Sequence, residues 1–315
     1  MAALLEIQEL TRIFHVGLWP PTRIRAVDRL SLRVGAGETL GLVGESGCGK
    51  TTLGRCAVGL LAPTSGSVRF EGVDLASLSR SQLRLKRREF QMVFQDASGS
   101  LNPRMTAEES IREPFEAQGL GTSGERERRI RELLDAVALD PSVLACLPAL
   151  LSGGQQQRLA IARALALGPR LVVADEPVSA LDASVQAQII NLLAGLRQKF
   201  GLTLILISHS LPVVRHLCTH VAVMYLGRIV EEAPAELFFG GPKHPYSEHL
   251  IRCAPVFGAQ PIRAGRAAGD LPSAASPPSG CAFHPRCPHA RERCRRETPP
   301  PTGAGGSTVA CFLYT

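Results

Sequence analysis

The sequence predicts an α/β fold built on a core of short, buried strands. Three apolar runs of strand length support this prediction: Thr39–Val43, Leu171–Asp175 before its final carboxylate, and Thr203–Ile207. Continuous apolar runs of this length are typical of strands that are covered on both faces of a parallel sheet. Helical periodicity lies between them, most clearly over residues 184–200, where apolar residues recur on one side.

Length and composition indicate a globular protein with one large domain and a smaller appendage. The chain has 315 residues, of which 45% are hydrophobic, which is ordinary for a protein with a sizeable core. Its formal net charge is +7, but residues 250–315 contain eight Arg against Asp270, Glu292 and Glu297, so the preceding 249 residues carry only +2. A nearly neutral body is poor evidence for a nucleic-acid-binding surface. We therefore expect no nucleic-acid partner.

The chain carries no signal for membrane insertion or secretion. It has no run of 18 apolar residues, and residues 1–6 lack the basic start and apolar core of a secretion signal. We therefore expect the protein to stay in the cytosol, where its nine Cys remain reduced. Clustered Cys then indicate metal binding before disulfides.

Two N-terminal segments predict an antiparallel β-subdomain. Residues 4–14 and 24–34 alternate apolar and polar side chains, as half-buried strands do, and residues 17–21 form a loop between them. Phe14 ends the first segment, about thirty residues ahead of the glycine-rich loop described next. The residues alone leave two interpretations of Phe14 open: a core aromatic, or a face on which adenine stacks.

A glycine-rich loop follows the strand Thr39–Val43 and precedes a segment that can be helical. It matches the phosphate-binding pattern Gly-x4-Gly-Lys-[Ser/Thr]. Glycines let backbone N–H groups curl around an anion, and the following helix adds its positive end. Lys50 is placed to reach the outer phosphates of a nucleotide, and the Thr51 hydroxyl to ligate Mg²⁺. The predicted nucleotide-binding residues of this loop are Gly44, Glu45, Ser46, Gly47, Cys48, Gly49, Lys50, Thr51 and Thr52.

A helical insertion separates this loop from the next buried strand. Strands at residues 67–70 and 91–95 and a basic helix at 81–88 precede it, and residues 221–231 predict a terminal hairpin. Within the insertion, residues 122–125 match a capping box ahead of apolar residues spaced i, i+3, i+4, i+7. The predicted organisation is a main domain over 1–253 with the insertion at about 98–165, a Pro/Gly/Ala-rich linker over 254–280 and a Cys-rich extension over 281–315.

A second potential phosphate-binding element lies at residues 152–155. Ser152 and two glycines stand where a helix begins, which supplies further N–H donors. Ser152 lies about a hundred residues from Lys50, across the insertion. One ATP cannot easily be enclosed by both loops of one chain, so we expect a head-to-tail dimer. Each nucleotide would lie between the Lys50 loop of one chain and the Ser152 loop of its partner.

Six motifs, in their order and spacing, resemble an ABC-transporter ATP-binding subunit. They cover about residues 4–250 and comprise residues 44–52, Gln95, 151–155, 171–176, 179–182 and His209. The resemblance implies an α/β P-loop NTPase core of the ABC ATPase type, with an antiparallel β-subdomain, a helical insertion and a Cys-rich C-terminal extension. It also implies hydrolysis of ATP with Mg²⁺.

The resemblance assigns a catalytic or metal-binding role to groups around the γ-phosphate. Lys50 would hold the β- and γ-phosphates, and Thr51 and Gln95 would ligate Mg²⁺, with Asp175 holding the ion through water. Glu176 would polarise the attacking water. A strand-end acid is often only a helix-start carboxylate, but its neighbours Asp175 and Pro177 favour catalysis.

Further residues would act at the γ-phosphate, the dimer interface and the adenine. His209 would contact the γ-phosphate; a lone His is more often structural, but its place after Ser208 favours this role. Phe14 falls where the family places its adenine-stacking aromatic, and Asp182 would cross the interface. Ser210 stands where the family usually has Asp, which would loosen the coupling of His209 to the interface. The residues that would bind the partner's ATP are Ser152, Gly153, Gly154 and Gln155.

A narrower resemblance points to the dipeptide/oligopeptide importer subfamily. Its motifs are residues 42–50, 100–104, 175–182 and 244–247, and the loop at 17–22 is similar to the F-type ATPase of that subfamily. This implies a heterodimer with a second ATPase subunit beneath two transmembrane permease subunits, fed by an extracytoplasmic substrate-binding protein. The chain would then lie at the cytoplasmic face of the membrane.

The C-terminal extension gathers four of the nine cysteines. These are Cys281, Cys287, Cys294 and Cys311, in a segment that resembles the extension associated with a [4Fe-4S] cluster in the same subfamily. Four thiolates suit either Fe–S or Zn²⁺, although the spacing lacks the paired Cys-x2-Cys of common Zn²⁺ sites. Five nearby Arg would favour thiol deprotonation. Unliganded thiols remain the alternative. The other cysteines, Cys48, Cys56, Cys146, Cys218 and Cys253, are expected to be buried small side chains.

Two other classes of function were weighed against an importer ATPase. A soluble ABC ATPase acting on nucleic acid or ribosomes also carries residues like 151–155, but on long coiled-coil arms or with two ATPase units in one chain. This chain has one phosphate loop and no sustained heptads. An exporter ATPase is disfavoured by the Cys-rich extension and by residues 244–247.

Overall fold

The computed structural model describes residues 3–17, 21–253 and 272–315. Most of the predicted linker, residues 254–271, and residues 18–20 of the predicted loop lie outside the described residues. The chain divides into two compact units. The first comprises residues 1–77 and 206–315, and the second comprises residues 78–205.

The helices and strands alternate along the chain. The first unit opens with β1 (Ala3–Val16), β2 (Thr22–Gly35), β3 (Thr39–Val43), α1 (Lys50–Ala57), β4 (Ser65–Phe70) and β5 (Val73–Asp74). The second unit holds α2 (Arg80–Lys86), β6 (Phe90–Val93), α3 (Ala97–Ser100), α4 (Ala107–Gln118), α5 (Ser123–Ala136), α6 (Gly153–Leu165), β7 (Leu171–Asp175), α7 (Ala183–Phe200) and the first residues of β8 (Thr203–Ile207). The first unit resumes with α8 (Leu211–Leu217), β9 (His220–Tyr225), β10 (Arg228–Pro234), α9 (Ala235–Gly240), α10 (Pro245–Cys253), α11 (Glu292–Arg296), β11 (Thr302–Ala304) and β12 (Ser307–Val309). Single turns of 3-10 helix lie at Leu75–Ser77, Pro141–Ala145, Pro148–Leu150 and His284–Arg286.

The first unit contains two sheets. The antiparallel sheet has the strand order β2-β1-β4-β5, which confirms the predicted β-subdomain. Its apolar alternation is also confirmed, since Leu5, Ile7 and Val34 are at most 1% exposed. In the other sheet, β3 pairs in parallel with β9, and β9 pairs antiparallel with β10 as the sequence predicted.

The Cys-rich extension completes that second sheet, and the predicted terminal hairpin is therefore not terminal. β12 pairs with β10 through Glu231 and Glu232, and β11 pairs with β12. The predictions missed both strands because residues 302–309 are short, Gly-rich and polar, with no apolar period. Backbone pairing to an existing sheet edge supplies what local propensity does not.

The second unit combines parallel strands with the predicted helical insertion. β6 pairs in parallel with β7, whose five residues are all buried, as expected of a strand covered on both faces. The capping box predicted at Thr122 is present, with Thr122 Oγ1 accepting from the Glu125 amide. Thr106 and Glu109 form a second one, which was not predicted. These caps satisfy amides at the helix starts that have no partner within the helix.

The scattered cysteines are only partly as predicted. Cys48, Cys56 and Cys218 are buried. Cys146 is half-buried and Cys253 is exposed at the end of α10, so the prediction of burial is wrong for these two. Among the residues that the structure describes, no helix combines the length and apolarity needed to cross a membrane.

His244 is a buried histidine that cannot readily take a proton. It is 1% exposed, its amide donates to Glu231 Oε2 (2.8 Å), and its Nδ1 accepts from the Tyr246 amide (3.0 Å). Burial lowers the pKa of His244 to about 4. The unfolded chain therefore binds a proton below pH ~6.5 that the folded chain refuses until about pH 4.

We expect this difference to make the protein less stable in mild acid. Between pH 7 and pH 5 the wild type should lose about 2 kcal/mol of unfolding free energy through His244, because each pH unit below ~6.5 contributes about 1.4 kcal/mol. His244→Asn keeps an acceptor for the Tyr246 amide but does not titrate. Urea unfolding of both proteins at the two pH values measures the difference, and an equal loss in both would contradict the prediction.

Candidate functional site

The glycine-rich loop connects β3 to α1 and is shaped by close backbone contacts. Gly44 (φ 152°), Gly47 (φ 80°) and Gly49 (φ 109°) all have positive φ. A Cβ on Gly44 would lie 2.2 Å from the Met224 carbonyl oxygen, and one on Gly49 would lie 2.0 Å from the Ala26 carbonyl oxygen. Both positions therefore require glycine for conformation and for space.

Lys50 starts α1 and turns its ammonium back into the loop. The side chain donates from Nζ to the carbonyl oxygens of Gly44 (2.7 Å) and Glu45 (2.9 Å), and the residue is 5% exposed. Its Nζ also lies 3.7 Å from the Cys48 sulfur, a thiol whose pKa is raised by burial. Thr51 and Thr52 follow in the first turn of α1, at its positive end. The loop thus presents a cation and a helix N-terminus together.

Glu45 is held on both its backbone and its side chain. The Glu45 amide donates to the Tyr246 hydroxyl (2.8 Å). Its two carboxylate oxygens each accept from Arg286 at 2.9 Å. The sequence analysis missed Tyr246 and Arg286 as neighbours of the loop, because they lie 201 and 241 residues away along the chain.

The carboxyl end of β7 carries the paired acids in the second unit. Asp175 is the last residue of the strand and is 2% exposed. Glu176 follows with φ 45°, an uncommon conformation for a residue with a side chain. Such strain often accompanies functional positions. Gln95, just after β6, donates from Nε2 to Glu176 Oε2 (3.2 Å), so the structure brings these two predicted residues together.

Residues 152–155 form the start of α6, as predicted. Ser152 is the N-cap, with its Oγ accepting from the Gln155 amide (3.3 Å) and its amide donating to Gln155 Oε1 (2.9 Å). Ser152 and Gly153 are exposed. Gly154 packs so closely on α7 that a Cβ would lie 2.8 Å from Val185 Cγ1.

Asp182 also serves a helix start, a role that the sequence analysis did not assign. Its Oδ1 accepts from the Val185 amide (3.0 Å) and the Ser184 hydroxyl (2.7 Å), which caps α7. These hydrogen bonds, that from the Val185 amide first, hold the pKa of Asp182 below its usual value. The side chain is exposed and anionic, as a group in contact with a partner would have to be.

His209 and Phe14 lie in the first unit. His209 follows β8 and is exposed, and the preceding Ser208 amide donates to the Leu42 carbonyl oxygen (3.2 Å), which ties this segment to β3. The Ser210 amide donates to Ser208 Oγ (3.0 Å). Phe14 is half-buried in β1, and the Arg12 guanidinium lies 4.8 Å from the centre of its ring.

The predicted site residues are thus divided between the two units. Phe14, the loop with Lys50 and Thr51, and His209 belong to the first. Gln95, residues 152–155, Asp175, Glu176 and Asp182 belong to the second. Within each unit the structure brings Lys50 to its own loop and Gln95 to Glu176.

The four cysteines of the extension line one small cavity of about 20 Å³, together with His244, His284 and His289. The Cys281 amide donates to the Cys294 carbonyl oxygen (2.8 Å). Within residues 3–17, 21–253 and 272–315, no group of three or more His, Cys, Asp or Glu is arranged to hold a metal ion. The thiols converge, but their arrangement is not that of a closed coordination sphere.

The expectation that nearby Arg would favour thiol deprotonation is wrong for three of these cysteines. Burial raises the pKa of Cys281 to about 11, and it also raises the pKa values of Cys287 and Cys311. Arg291 lowers the pKa of Cys311, but desolvation outweighs it. Without a metal these thiols are therefore protonated at neutral pH.

Solved structures with this fold are ATP-binding cassettes. The dimeric post-hydrolysis structure of the cassette MJ0796, bound to ADP and Pi, aligns with a TM-score of 0.67 at 31% identity and covers 73% of this chain and 98% of that chain. CbiO1 of Clostridium perfringens, part of the ABC transporter complex cbiONQ, aligns with a TM-score of 0.65 at 25% identity and covers 76% and 92%. Fold and loop together define an ABC-type ATPase.

Sequence comparisons narrow this class. A model of the ABC transporter family matches residues 27–179, and one of the oligopeptide/dipeptide transporter C-terminal region matches residues 230–294. The oligopeptide transport ATP-binding protein AppF of Bacillus subtilis is 45% identical, and the di/tripeptide transport ATP-binding protein DppF of Pseudomonas aeruginosa 42%; each alignment covers 99% of this chain and 98% of the relative. A protein of Sinorhizobium fredii named as a probable peptide ABC transporter ATP-binding protein, y4tS, is 51% identical over 99% of this chain and 90% of its own length. The chain belongs to the family of ATP-binding subunits of oligopeptide/dipeptide ABC transporters. Subunits of this kind are ATPases coupled to import.

We expect Gly154→Ala to lower the free energy of unfolding by about 1–3 kcal/mol, because the new Cβ overlaps Val185 Cγ1. The same change in a Val185→Ala background should cost little, since alanine is otherwise favoured over glycine in a helix. Urea unfolding of the four proteins in this cycle measures the coupling. Gly195→Ala in α7, where nothing lies within 4 Å of the added Cβ, is the matched control and should stabilise by about 0.5–1 kcal/mol. Equal costs of Gly154→Ala in both backgrounds would show that Val185 is not the obstacle.

Proposed function

We propose that this chain binds MgATP at residues 44–52 and hydrolyses it to drive peptide import. The observation that carries the proposal is the loop itself, in which the buried Lys50 ammonium and the start of α1 face the same loop backbone. A loop of this kind suits an anion with several phosphates. Its glycines cannot be replaced without a clash, which is expected where backbone amides must come close to a ligand.

The residues at the site divide the work of phosphoryl transfer. Lys50 and the loop amides bind and orient the phosphates. Thr51, Gln95 and Asp175 supply the hard oxygen ligands that suit Mg²⁺. The bound ion would neutralise charge on the phosphates and stabilise the loose transition state. Phe14 provides an aromatic face for the adenine, backed by the Arg12 guanidinium.

Glu176 is the proposed general base. Its carboxylate would orient and polarise the attacking water, and the Gln95 amide, which donates to it, limits the orientations it can adopt. The positive φ of Glu176 aims the side chain from the end of a rigid, buried strand. His209, exposed at the end of β8, would contact the γ-phosphate from the first unit.

We further propose that the site is completed by a second ATPase subunit in a heterodimer. Ser152 and Gly153 are exposed at the positive end of α6, where they can meet the ATP of a partner together with Gly154 and Gln155. Asp182 is exposed nearby in sequence at the start of α7. The related cassette MJ0796 is described as dimeric in its ADP-bound structure. The F-type position rests on the loop at residues 17–22 and on residues 52–55.

The proposed partners follow from the family. Two transmembrane permease subunits would receive the conformational change of the ATPase pair, and an extracytoplasmic binding protein would deliver the peptide. AppF and DppF carry oligopeptide and di/tripeptide transport in their names. The chain would therefore work at the cytoplasmic face of the membrane.

We also propose that the four cysteines of the extension hold a metal centre, either a [4Fe-4S] cluster or Zn²⁺. The support is that all four line one cavity although they are spread over 31 positions of the sequence. Four sulfur ligands suit both centres. Because the metal-free thiols are protonated, metal binding must release protons and draw the thiolates together.

Glu176→Gln should retain ATP binding and lose turnover, because the amide fills the same space but cannot act as a base. We expect kcat to fall by about 10²–10⁴-fold. Phosphate release by the assembled transporter and titration of the full chain with a fluorescent ATP analogue measure the two properties. Glu132→Gln, an exposed acid on α5, serves as the control and should change neither. Undiminished hydrolysis would refute the general-base role.

Anaerobic purification of the full chain tests the metal centre. We expect iron and sulfide with a brown charge-transfer absorption, or Zn²⁺ in a colourless protein. Cys287→Ser should lose most of the metal, whereas Cys146→Ser, a half-buried cysteine outside the extension, should keep it. A wild-type protein that contains neither iron nor zinc would rule out both centres.

A further inference from the structure

The Cys-rich extension contacts the phosphate loop within the first unit. Arg286 belongs to the 3-10 turn His284–Arg286, one residue before Cys287. Its two terminal nitrogens donate to the two carboxylate oxygens of Glu45, each at 2.9 Å. Glu45 is the second residue of the loop. The contact therefore joins one end of the chain to the proposed ATP site.

This ion pair is largely removed from water. The Arg286 side chain is 8% exposed and that of Glu45 is 25% exposed. The guanidinium carbon lies 6.0 Å from the ring centre of Tyr225 and 5.9 Å from that of Phe283. A bidentate pair in such surroundings is stronger and more directional than an exposed one. By contrast, Arg296 and Glu292 in the same extension are 76% and 68% exposed.

An aromatic cluster makes the contact rigid. Tyr225 packs edge-on against Tyr246 (4.6 Å between ring centres) and against Phe283 (5.4 Å). All three rings are at most 1% exposed. Since the Tyr246 hydroxyl also accepts from the Glu45 amide, the extension and α10 hold this residue through both its backbone and its side chain.

The charge of Glu45 makes this pairing matter for a nucleotide. A carboxylate within a loop that receives several phosphates repels them, and in a partly buried site this repulsion is only weakly screened. Arg286 cancels that charge through a hydrogen-bonded pair. Lys50 does not fulfil this role, because its ammonium contacts the Gly44 and Glu45 carbonyl oxygens.

We propose that Arg286 is a positioning residue for the phosphate loop, which acts through Glu45 to neutralise the loop's own carboxylate and so makes ATP affinity depend on the docked C-terminal extension. The inference rests on the proposed ATP site. It assigns to the extension an effect on nucleotide binding that needs no contact with the nucleotide. It also does not depend on which metal the cysteines hold.

Removal of the charge of Arg286 should weaken ATP binding, and removal of the charge of Glu45 should restore it. Arg286→Met keeps an unbranched apolar side chain between the aromatic rings, and we expect it to raise the Kd for ATP about tenfold. Adding Glu45→Gln to that variant should return the Kd to near the wild-type value. Arg286→Lys, which keeps the charge but not the bidentate geometry, should lie between. Titration of each full-length chain with a fluorescent ATP analogue in the presence of Mg²⁺ measures the Kd.

The controls separate this inference from a structural role and from the ATP site itself. Arg296→Ala, which removes an exposed Arg of the extension, should leave the Kd unchanged. Lys50→Ala should abolish binding; if the wild type does not bind the analogue, the proposed function fails rather than the role of Arg286. A tether without charge compensation predicts that Arg286→Met, Glu45→Gln and the double variant all weaken binding alike, and that result would overturn the inference. If Arg286→Met is recovered unfolded, Glu45→Gln alone decides, since retained or improved affinity supports the inference and a tenfold loss contradicts it.

Discussion

Backbone touches backbone at two points of the phosphate loop, and the rest of the first unit is arranged to permit it. Gly44 lies against the Met224 carbonyl of β9, and Gly49 against the Ala26 carbonyl of β2. Side chains at either position would push the loop off both strands. β9 therefore has to pair with β3 in one register, which it does from Leu40–His220 to Val43–Val223. The loop's shape is thus a property of the packed unit and not of its glycines alone.

The same strand links the loop to the C-terminal extension. Met224 supports Gly44, and the next residue, Tyr225, belongs to the aromatic cluster beneath Arg286. β9 pairs with β10, and β10 pairs with β12 of the extension. Sheet pairing, aromatic packing and a buried ion pair therefore all join the extension to the loop. This explains how residues near position 290 can influence a site near position 45 through packed contacts alone.

Charge and strain are placed where the chemistry would need them. Lys50 is buried with its ammonium on loop carbonyls, and Glu176 adopts positive φ at the end of a fully buried strand. Asp175, Gln95 and Glu176 gather oxygen ligands and a base in the second unit, whereas phosphate-binding groups lie in the first. Hydrogen bonds within each unit, such as that from Gln95 to Glu176, orient side chains in advance.

The sequence by itself determined the α/β class, the phosphate loop, the strand-end acids and the start of α6, because each depends on local spacing: a glycine pattern, an apolar run, a capping box. It could not reveal that Gln95 donates to Glu176, that Asp182 caps α7, or that Arg286 and Tyr246 hold Glu45. It also suggested Arg-assisted thiolates, whereas burial keeps the metal-free thiols protonated. Only the tertiary structure decided these points, because desolvation and contacts between residues up to 241 positions apart have no local pattern in the chain.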